Sequence, residues 1–509
     1  MNNAASQALR LSVSLGSGAR PRLSLEGDGK RAVALARRRL VLAASLYACA
    51  FLLLGARVVE IAASGGAPPM APSASATEHP SQRADIVDRH GALLATNLPT
   101  ASLYANPGRV LDPDEAAEAL AAVLPHLDVE TLRAKLGGQR SFVWLDRGLS
   151  PTQVAAVNAL GLPGLAFVDE ERRVYPQGPL LAHVLGFTDI DNRGIAGIER
   201  VYDGALRGRA RSGAGALALS LDVRAQQILR EELAHAVAEF AAVGAAGLVM
   251  DPSTGEILAL VSLPDFDPNR PAAASDEARF NRATLGVYEM GSIFKVFTTA
   301  MALDYGVAGL SSGYDATDPI RIARYTISDD HPKARWLSVP EVFIYSSNIG
   351  AAKMALDVGA DRQRAFLKKL GLLSAPAVDL PEVGAPMVPA TWGDITTMTV
   401  AFGHGVAVSP LLVATAFAAV VNGGVLMPPT LLARTGARPA GTRVMQAATS
   451  DAMRALLRLA VVAGTGKGAN VAGYAVGGKT GTAEKAGATG YRRDALLSSF
   501  IAAFPMDAP

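Results

Sequence analysis

The sequence predicts a membrane-anchored α+β protein in three parts: one N-terminal transmembrane helix, a mixed α and β module, and a larger module in which helices cover both faces of an antiparallel sheet. Three observations carry this. Leu40 to Ala56 (LVLAASLYACAFLLLGA) is an apolar run without a charge. Residues 63–82 (ASGGAPPMAPSASATEHPSQ) have the composition of a linker. Residues 245–262 read as an apolar run, a turn and an apolar run, after an amphipathic helical pattern at Ala225–Ala242 and ahead of a nearly all-apolar one at Phe294–Tyr305.

Length and composition agree. A chain of 509 residues allows about three domains. Half of the residues are hydrophobic and 18% are charged, below the typical ~25%, which excludes a largely disordered chain. A net charge of +2 excludes a nucleic-acid binder that works by bulk charge. The lone cysteine, Cys49, excludes an internal disulfide framework and a cysteine-based zinc site. The seven histidines are scattered without an H-x-x-x-H pair, so no metal and no cofactor are expected.

The N-terminal elements follow in order. Residues 1–39 carry eight Lys/Arg, including Lys30, Arg31 and Arg37–Arg39, against Glu26 and Asp28. This basic tail, expected to be disordered over residues 1–30, faces the cytoplasm by the positive-inside rule. The span takes residues 40–57, with Arg57 snorkelling. A cleaved signal peptide fits less well, because the run is long for a 7–15-residue h-region. A lipoprotein site at Cys49 fails because Phe51-Leu52-Leu53-Leu54 still follow. Residues 58–82 are the linker, 83–215 the first exported module and 216–509 the second.

In the first module, Asp112-Pro113-Asp114-Glu115 and Ser150-Pro151-Thr152-Gln153 open helices with an N-cap, Pro at the first helical position and a capping-box residue. Gly161 stops the second helix. Arg207–Gly215 (RGRARSGAG) is expected to be a flexible boundary. In the second module the apolar runs AAGLVM and ILALVS around Asp251-Pro252-Ser253-Thr254-Gly255-Glu256 predict a hairpin whose strands are covered on both faces.

Three short motifs compete for the chemistry. Gly473–Thr480 matches the phosphate-binding G-x4-G-K-[ST] loop, but Gly481, Gly487 and Gly490 follow where that loop needs a helix. Gly309-Leu310-Ser311-Ser312-Gly313 matches a nucleophile elbow, yet it follows a helix end rather than a buried strand. The third is the set Ser292-Ile293-Phe294-Lys295, Ser346-Ser347-Asn348 and Lys479-Thr480-Gly481-Thr482. Of ten lysines only Lys295 has a serine three residues before it, of eleven asparagines only Asn348 has one two before it, and K-T-G occurs once.

The residue types suit nucleophilic catalysis. A serine hydroxyl needs an adjacent base, and helical i, i+3 spacing puts Lys295 on the face of Ser292. A lysine among apolar residues has its charged form disfavoured and serves as that base. The helix N-terminus favours negative charge on an attacked carbonyl oxygen. Lys479–Thr482 reads as an edge strand whose Lys and Thr groups suit a carboxylate, with Gly481 leaving room for close approach. Taken singly, these segments read equally well as a solvated lysine, a helix cap and a turn.

This constellation resembles the penicillin-recognising serine acyltransferases, and the surrounding sequence is similar to the class B penicillin-binding proteins from Arg83 to the end. Arg83-Ala84-Asp85-Ile86-Val87-Asp88-Arg89-His90-Gly91 looks like the R-G-x-I-x-D-R-N-G signature of their non-catalytic pedestal. Arg173-Val174-Tyr175-Pro176 and Gly194-Ile195-Ala196-Gly197-Ile198-Glu199 look like later pedestal elements. Tyr288–Thr298, Tyr345–Gly350 and Phe402-Gly403-His404-Gly405 resemble the cell-division type. Met290 replaces the usual Pro, which is expected to loosen the approach to the nucleophile; Ala84 replaces Gly and His90 replaces Asn.

The resemblance implies a single-pass inner-membrane D,D-transpeptidase crosslinking peptidoglycan stem peptides in the periplasm at the division septum. Ser292 would be the nucleophile and Lys295 its base. Ser346 would relay a proton to the leaving amine, and Asn348 would hold the acyl-side amide. Lys479, Thr480 and Thr482 would bind the terminal carboxylate, with the N–H groups of Ser292 and Thr482 as oxyanion hole. β-Lactams would acylate Ser292, and a separate membrane glycan polymerase and other division proteins would be partners.

A D,D-carboxypeptidase or β-lactamase-like hydrolase shares these residues, and a non-enzymatic β-lactam sensor or division scaffold would keep the fold. Finally, the family continues past Ser498–Phe504 with a further strand and a C-terminal helix. A chain ending at Pro509 is expected to lack both and to leave an edge of the first hairpin unpaired.

Overall fold

A computed structural model describes residues 28–63, 83–322, 325–436, 440–487 and 490–509. The basic tail up to residue 27 and the linker from residue 64 to 82 lie outside the described residues. The chain divides into two units, Met1–His79 and Pro80–Pro509.

Among the described residues the first unit holds a helix, Asp28–Ala63. Its stretch Arg37–Arg57 runs 21 residues at a mean hydropathy of 1.9 with none of it buried. At 1.5 Å per residue that is about 30 Å, the thickness of a bilayer's hydrocarbon.

In the second unit the pedestal is built on one long strand, Leu93–Ala105. It pairs antiparallel with Val143–Leu149 and, from Thr96↔Val174 to Ala105↔Leu165, with Leu165–Val174. Ile86–Val87 pairs with it and, in parallel, with Leu217–Ala218. The predicted caps form. Asp112 accepts from the N–H groups of Asp114 and Glu115, and Ser150 and Gln153 make a capping box before Pro151–Ala159. Gly161 follows with a left-handed φ of +62°.

The expected flexible boundary at 207–215 is instead helical as far as Ser212 (Asp203–Ser212). Leu206 is fully buried and anchors that helix, and the chain leaves it at Gly213, φ +66°. Two arginines fasten the pedestal from within. Arg83 and Arg173 both bond the carboxylate of Glu199, and Arg83 also bonds Asp203. Arg83 and Glu199 are 1% and 0% exposed.

The second module contains the predicted hairpin, Ala245–Met250 with Ile257–Leu263, and the helix Val223–Glu239 packed on it. The inner strand is buried as expected, but Ala245–Met250 is only half-buried and Val249 is exposed. An apolar strand gains cover only where a neighbour exists, and among the described residues nothing pairs with its outer edge. A second hairpin, Gly477–Gly487 with Gly490–Ala503, lies farther along the chain. Among the described residues no ladder joins the two hairpins, so the expected sheet is present as two hairpins. The core between helices gathers Phe297, Met301, Val342, Phe417 and Leu457.

Candidate active site

Ser292 lies in a single 3₁₀ turn, Gly291–Phe294, that runs into the helix Lys295–Asp304. In a 3₁₀ turn residues i and i+3 eclipse, and Lys295 Nζ sits 2.9 Å from Ser292 Oγ. Two close backbone approaches bring the distant strand to this turn. A Cβ on Gly291, whose φ is +53°, would lie 2.2 Å from the carbonyl oxygen of Thr482, and one on Gly481 would lie 2.6 Å from that of Met290. Glycine at both positions lets the nucleophile turn and the Lys479 strand touch main chain to main chain. Met290 is buried in the main core.

The third segment closes the site. Ser346 sits between the helices Val339–Ile344 and Asn348–Val358 with φ +58°, a left-handed conformation rare for serine. Lys295 Nζ donates to the Ser346 carbonyl, to Ser346 Oγ at 3.0 Å and to Asn348 Oδ1 at 2.7 Å. Lys479 Nζ donates to the same Ser346 hydroxyl at 3.0 Å and to the Thr480 carbonyl. One hydroxyl therefore bridges two amines. Thr480 Oγ1 donates to Thr465 Oγ1 at 2.8 Å, and Thr482 is exposed on the same strand.

Both lysines are almost wholly buried, 1% and 0% exposed. Among the described residues neither has a carboxylate within ion-pair distance. Burial, and then the charge of Lys479, hold Lys295 well below the ordinary lysine range, against a smaller opposing pull from Asp329 and Asp330. Burial pushes Lys479 down to about 8. The site thus sets an amine of depressed proton affinity beside the serine and, two hydrogen bonds away, one that keeps its charge below about pH 8. That pairing suits proton abstraction at Ser292 and anion binding at Lys479.

Sequence reasoning missed the supports of this site. Ser347 caps its helix by accepting from the Gly350 N–H, and donates to Asp329 Oδ2 at 2.8 Å. Asp329 Oδ1 accepts from the Ile349 N–H, and the Ser328 carbonyl from Asn348 Nδ2. Glu289, three residues before the nucleophile, accepts from the Gly405 N–H at 2.7 Å and pairs with His404. Ser347 carried a cap signal, but nothing in a polar loop marks Asp329 as its partner. The competing motifs assemble no chemistry among the described residues: Ser312 Oγ accepts from the Gly309 N–H as a turn contact, and the strand Gly477–Gly487 takes up the end of the phosphate-loop match where a helix would have to start.

Comparison with known proteins identifies both modules. Residues 245–509 match the penicillin binding protein transpeptidase domain, and residues 78–214 match the penicillin-binding protein dimerisation domain. The chain is 43% identical over 434 residues to the probable peptidoglycan D,D-transpeptidase FtsI of Caulobacter vibrioides, covering 84% of this chain and 73% of that protein. It is 31% identical over 441 residues to peptidoglycan D,D-transpeptidase FtsI of Escherichia coli K12, covering 80% and 74%. The crystal structure of a peptidoglycan synthetase from Bifidobacterium adolescentis superposes with a TM-score of 0.65 at 22% identity, covering 84% of this chain and 89% of that one, which shows a shared fold. With its transpeptidase domain, its pedestal and its likeness to the two FtsI proteins, the chain belongs to the class B penicillin-binding proteins of the cell-division D,D-transpeptidase type.

Proposed function

We propose that the cleft crosslinks peptidoglycan stem peptides through an acyl-enzyme on Ser292. Neutral Lys295 takes the Ser292 proton as Oγ attacks the carbonyl carbon of the penultimate D-Ala. The N–H groups of Ser292 and Thr482 receive the developing oxyanion. The C–N bond breaks, the proton reaches the leaving D-Ala amine through the Ser346 hydroxyl, and an ester remains on Ser292. An amine from a neighbouring stem then attacks the ester, gives its proton to the same base, and restores the serine hydroxyl as a 4→3-type crosslink forms. Asn348 holds the acyl-side amide, while charged Lys479 with Thr480 and Thr482 binds the terminal carboxylate, and Gly481 gives it close access. β-Lactams acylate the same oxygen by ring opening.

The observation that carries this reading is the Ser346 hydroxyl shared by Lys295 and Lys479, with Lys295 also on Ser292. The apolar stretch Arg37–Arg57 supports anchoring in the inner membrane, and the basic residues before it support a cytoplasmic N-terminus with the catalytic lobe in the periplasm at the septum. Residues 83–215 serve as the pedestal and 216–509 as the transpeptidase, and a separate glycan polymerase and other division proteins supply the strand to be crosslinked.

Labelling the full chain with a fluorescent penicillin tests the assignment beside Ser292→Ala and Lys295→Ala. Both variants should lose at least about a thousandfold in acylation rate. Unchanged labelling of Ser292→Ala would overturn it.

A further inference from the structure

The nucleophile turn touches two stretches of main chain, and the catalytic motifs account for one of them. A Cβ on Gly291 would lie 2.2 Å from the Thr482 carbonyl oxygen, on the Lys479 strand. The second stretch is the loop 401–408, which follows the helix Asp394–Val400. A Cβ on Gly403 would lie 2.1 Å from the carbonyl oxygen of Gly291 and 2.7 Å from its nitrogen. The Gly291 carbonyl and the Ser292 N–H belong to one planar peptide unit. Whatever sets the direction of that carbonyl therefore sets the direction of the N–H.

The loop is fastened at both ends to the nucleophile segment. Thr298 Oγ1, on the helix Lys295–Asp304, donates to the Ala401 carbonyl at 2.8 Å. Tyr288 and Val408 exchange N–H···O bonds of 2.9 Å each. The middle of the loop is Gly403-His404-Gly405, with φ of +86° and +85° at the two glycines, a backbone with wide freedom when untied. The Glu289 carboxylate ties it. One oxygen accepts from the Gly405 N–H at 2.7 Å, and the other meets His404 Nδ1 at 3.2 Å. A bond from N–H to a carboxylate is roughly twice as strong as a neutral one. Glu289 lies two residues before Gly291, so its side chain joins loop and turn over a short stretch of chain.

We propose that Glu289 is a positioning residue for acylation. By holding Gly405 it keeps Gly403 seated on the Gly291 carbonyl, and so aims the Ser292 N–H at the developing oxyanion. The proposal rests on the reading of Ser292 as the nucleophile. The role asks of Glu289 only an oxygen placed to accept from the Gly405 N–H; no proton passes through it. Backbone contacts without an intervening side chain leave little slack, and a misplacement of about 1 Å at a reacting centre costs roughly 10²-fold in rate.

Quench-flow labelling of the full chain in detergent micelles with a fluorescent penicillin tests it. The method separates the acylation rate constant from the dissociation constant of the noncovalent complex. Glu289→Ala should lower the rate constant at least about tenfold. The dissociation constant should stay within about twofold, because Lys479, Thr480 and Thr482 still hold the carboxylate. Glu289→Gln keeps an oxygen for the Gly405 N–H and should stay within about threefold of the parent rate constant. Glu289→Asp, its carboxylate withdrawn by one methylene, should fall with Glu289→Ala. Misfolding lowers the amount of protein labelled, not the rate constant of the molecules that label, so it is read apart from positioning.

Unchanged rate constants in Glu289→Ala and Glu289→Asp overturn the proposal. So does a loss in Glu289→Gln as large as in Glu289→Ala, which would assign the role to the charge and not to the bond with the loop. A raised dissociation constant with an unchanged rate constant would make Glu289 a binding group and overturns it as well. Ser292→Ala, run alongside, keeps the two readings apart: label in that variant overturns the nucleophile, whereas its silence beside unaffected Glu289 variants overturns Glu289 alone.

Discussion

In the pedestal, Arg83 and Arg173 are buried against the carboxylate of Glu199, which is itself fully buried, and Asp203 takes a further arginine N–H. In the cleft, Lys295 and Lys479 are buried as deeply and, among the described residues, meet only hydroxyls, carbonyls and an amide oxygen. The folded unit thus treats buried cations in two ways. A buried charge with a matched partner makes a fixed joint. A buried amine without one has its proton affinity lowered and becomes available for chemistry. Position in the fold does not separate the two cases; the presence of a carboxylate does.

The largest effect is expected where the paired cluster is broken. Glu199→Gln keeps the shape but removes the one charge that, among the described residues, Arg173 meets as an ion pair. Removing one partner of a buried pair costs about 3–5 kcal/mol, a large share of the ~5–15 kcal/mol that holds a domain together. Urea unfolding should show that loss, while the fraction that remains folded still takes up penicillin at the parent rate. A loss below about 1 kcal/mol would mean that Glu199 is no keystone.

The unpaired cluster is expected to answer to pH. With Lys479 at about 8 through burial, its charge is present below that pH and lost above it. The second-order rate of acylation by benzylpenicillin should therefore fall above about pH 8, approaching tenfold per pH unit. Stability moves the other way. Below about 8 both folded and unfolded chains hold the proton, and the cost of burying the charge is fully present. Between about 8 and the ordinary lysine value of ~10.4 the unfolded chain binds the proton that the folded chain has released, so stability rises with pH. An acylation rate flat to pH 10 would show that the cleft carboxylate does not depend on Lys479.

Much of the cleft was legible in the sequence because its parts are short, ordered and built on scarce residues: Lys295 is the single lysine with a serine three before it. Caps at Asp112 and Ser150 were legible because capping is local. What escaped notice depends on partners distant in the chain. Asp329 acts on Ser347 across a loop, and the left-handed Ser346 is fixed by the two helices it joins. In the pedestal, Arg83, Arg173 and Glu199 all fell within motifs read from sequence, yet nothing local says that both arginines share one carboxylate. The outer strand Ala245–Met250 was misjudged as covered, because an apolar run reports what a strand can bury, not which neighbour arrives to bury it.

The comparison sharpens most at the variant with the smallest expected effect on folding. Lys295→Met removes the amine, keeps the length and apolar stem, and leaves Phe294 and Phe297 packed as before. No carboxylate is orphaned, and the acceptors it frees, Ser346 O and Asn348 Oδ1, belong to partly exposed residues beside the partly exposed Ser292. The gain from no longer desolvating an amine offsets the lost hydrogen bonds, so stability should stay within about 1 kcal/mol of the parent or rise. Acylation should vanish all the same. Paired urea titrations of Lys295→Met and Glu199→Gln read the contrast directly. If Lys295→Met costs as much as Glu199→Gln, the lysine is a structural joint like the arginines, and the separation of buried cations into fixed and reactive ones fails.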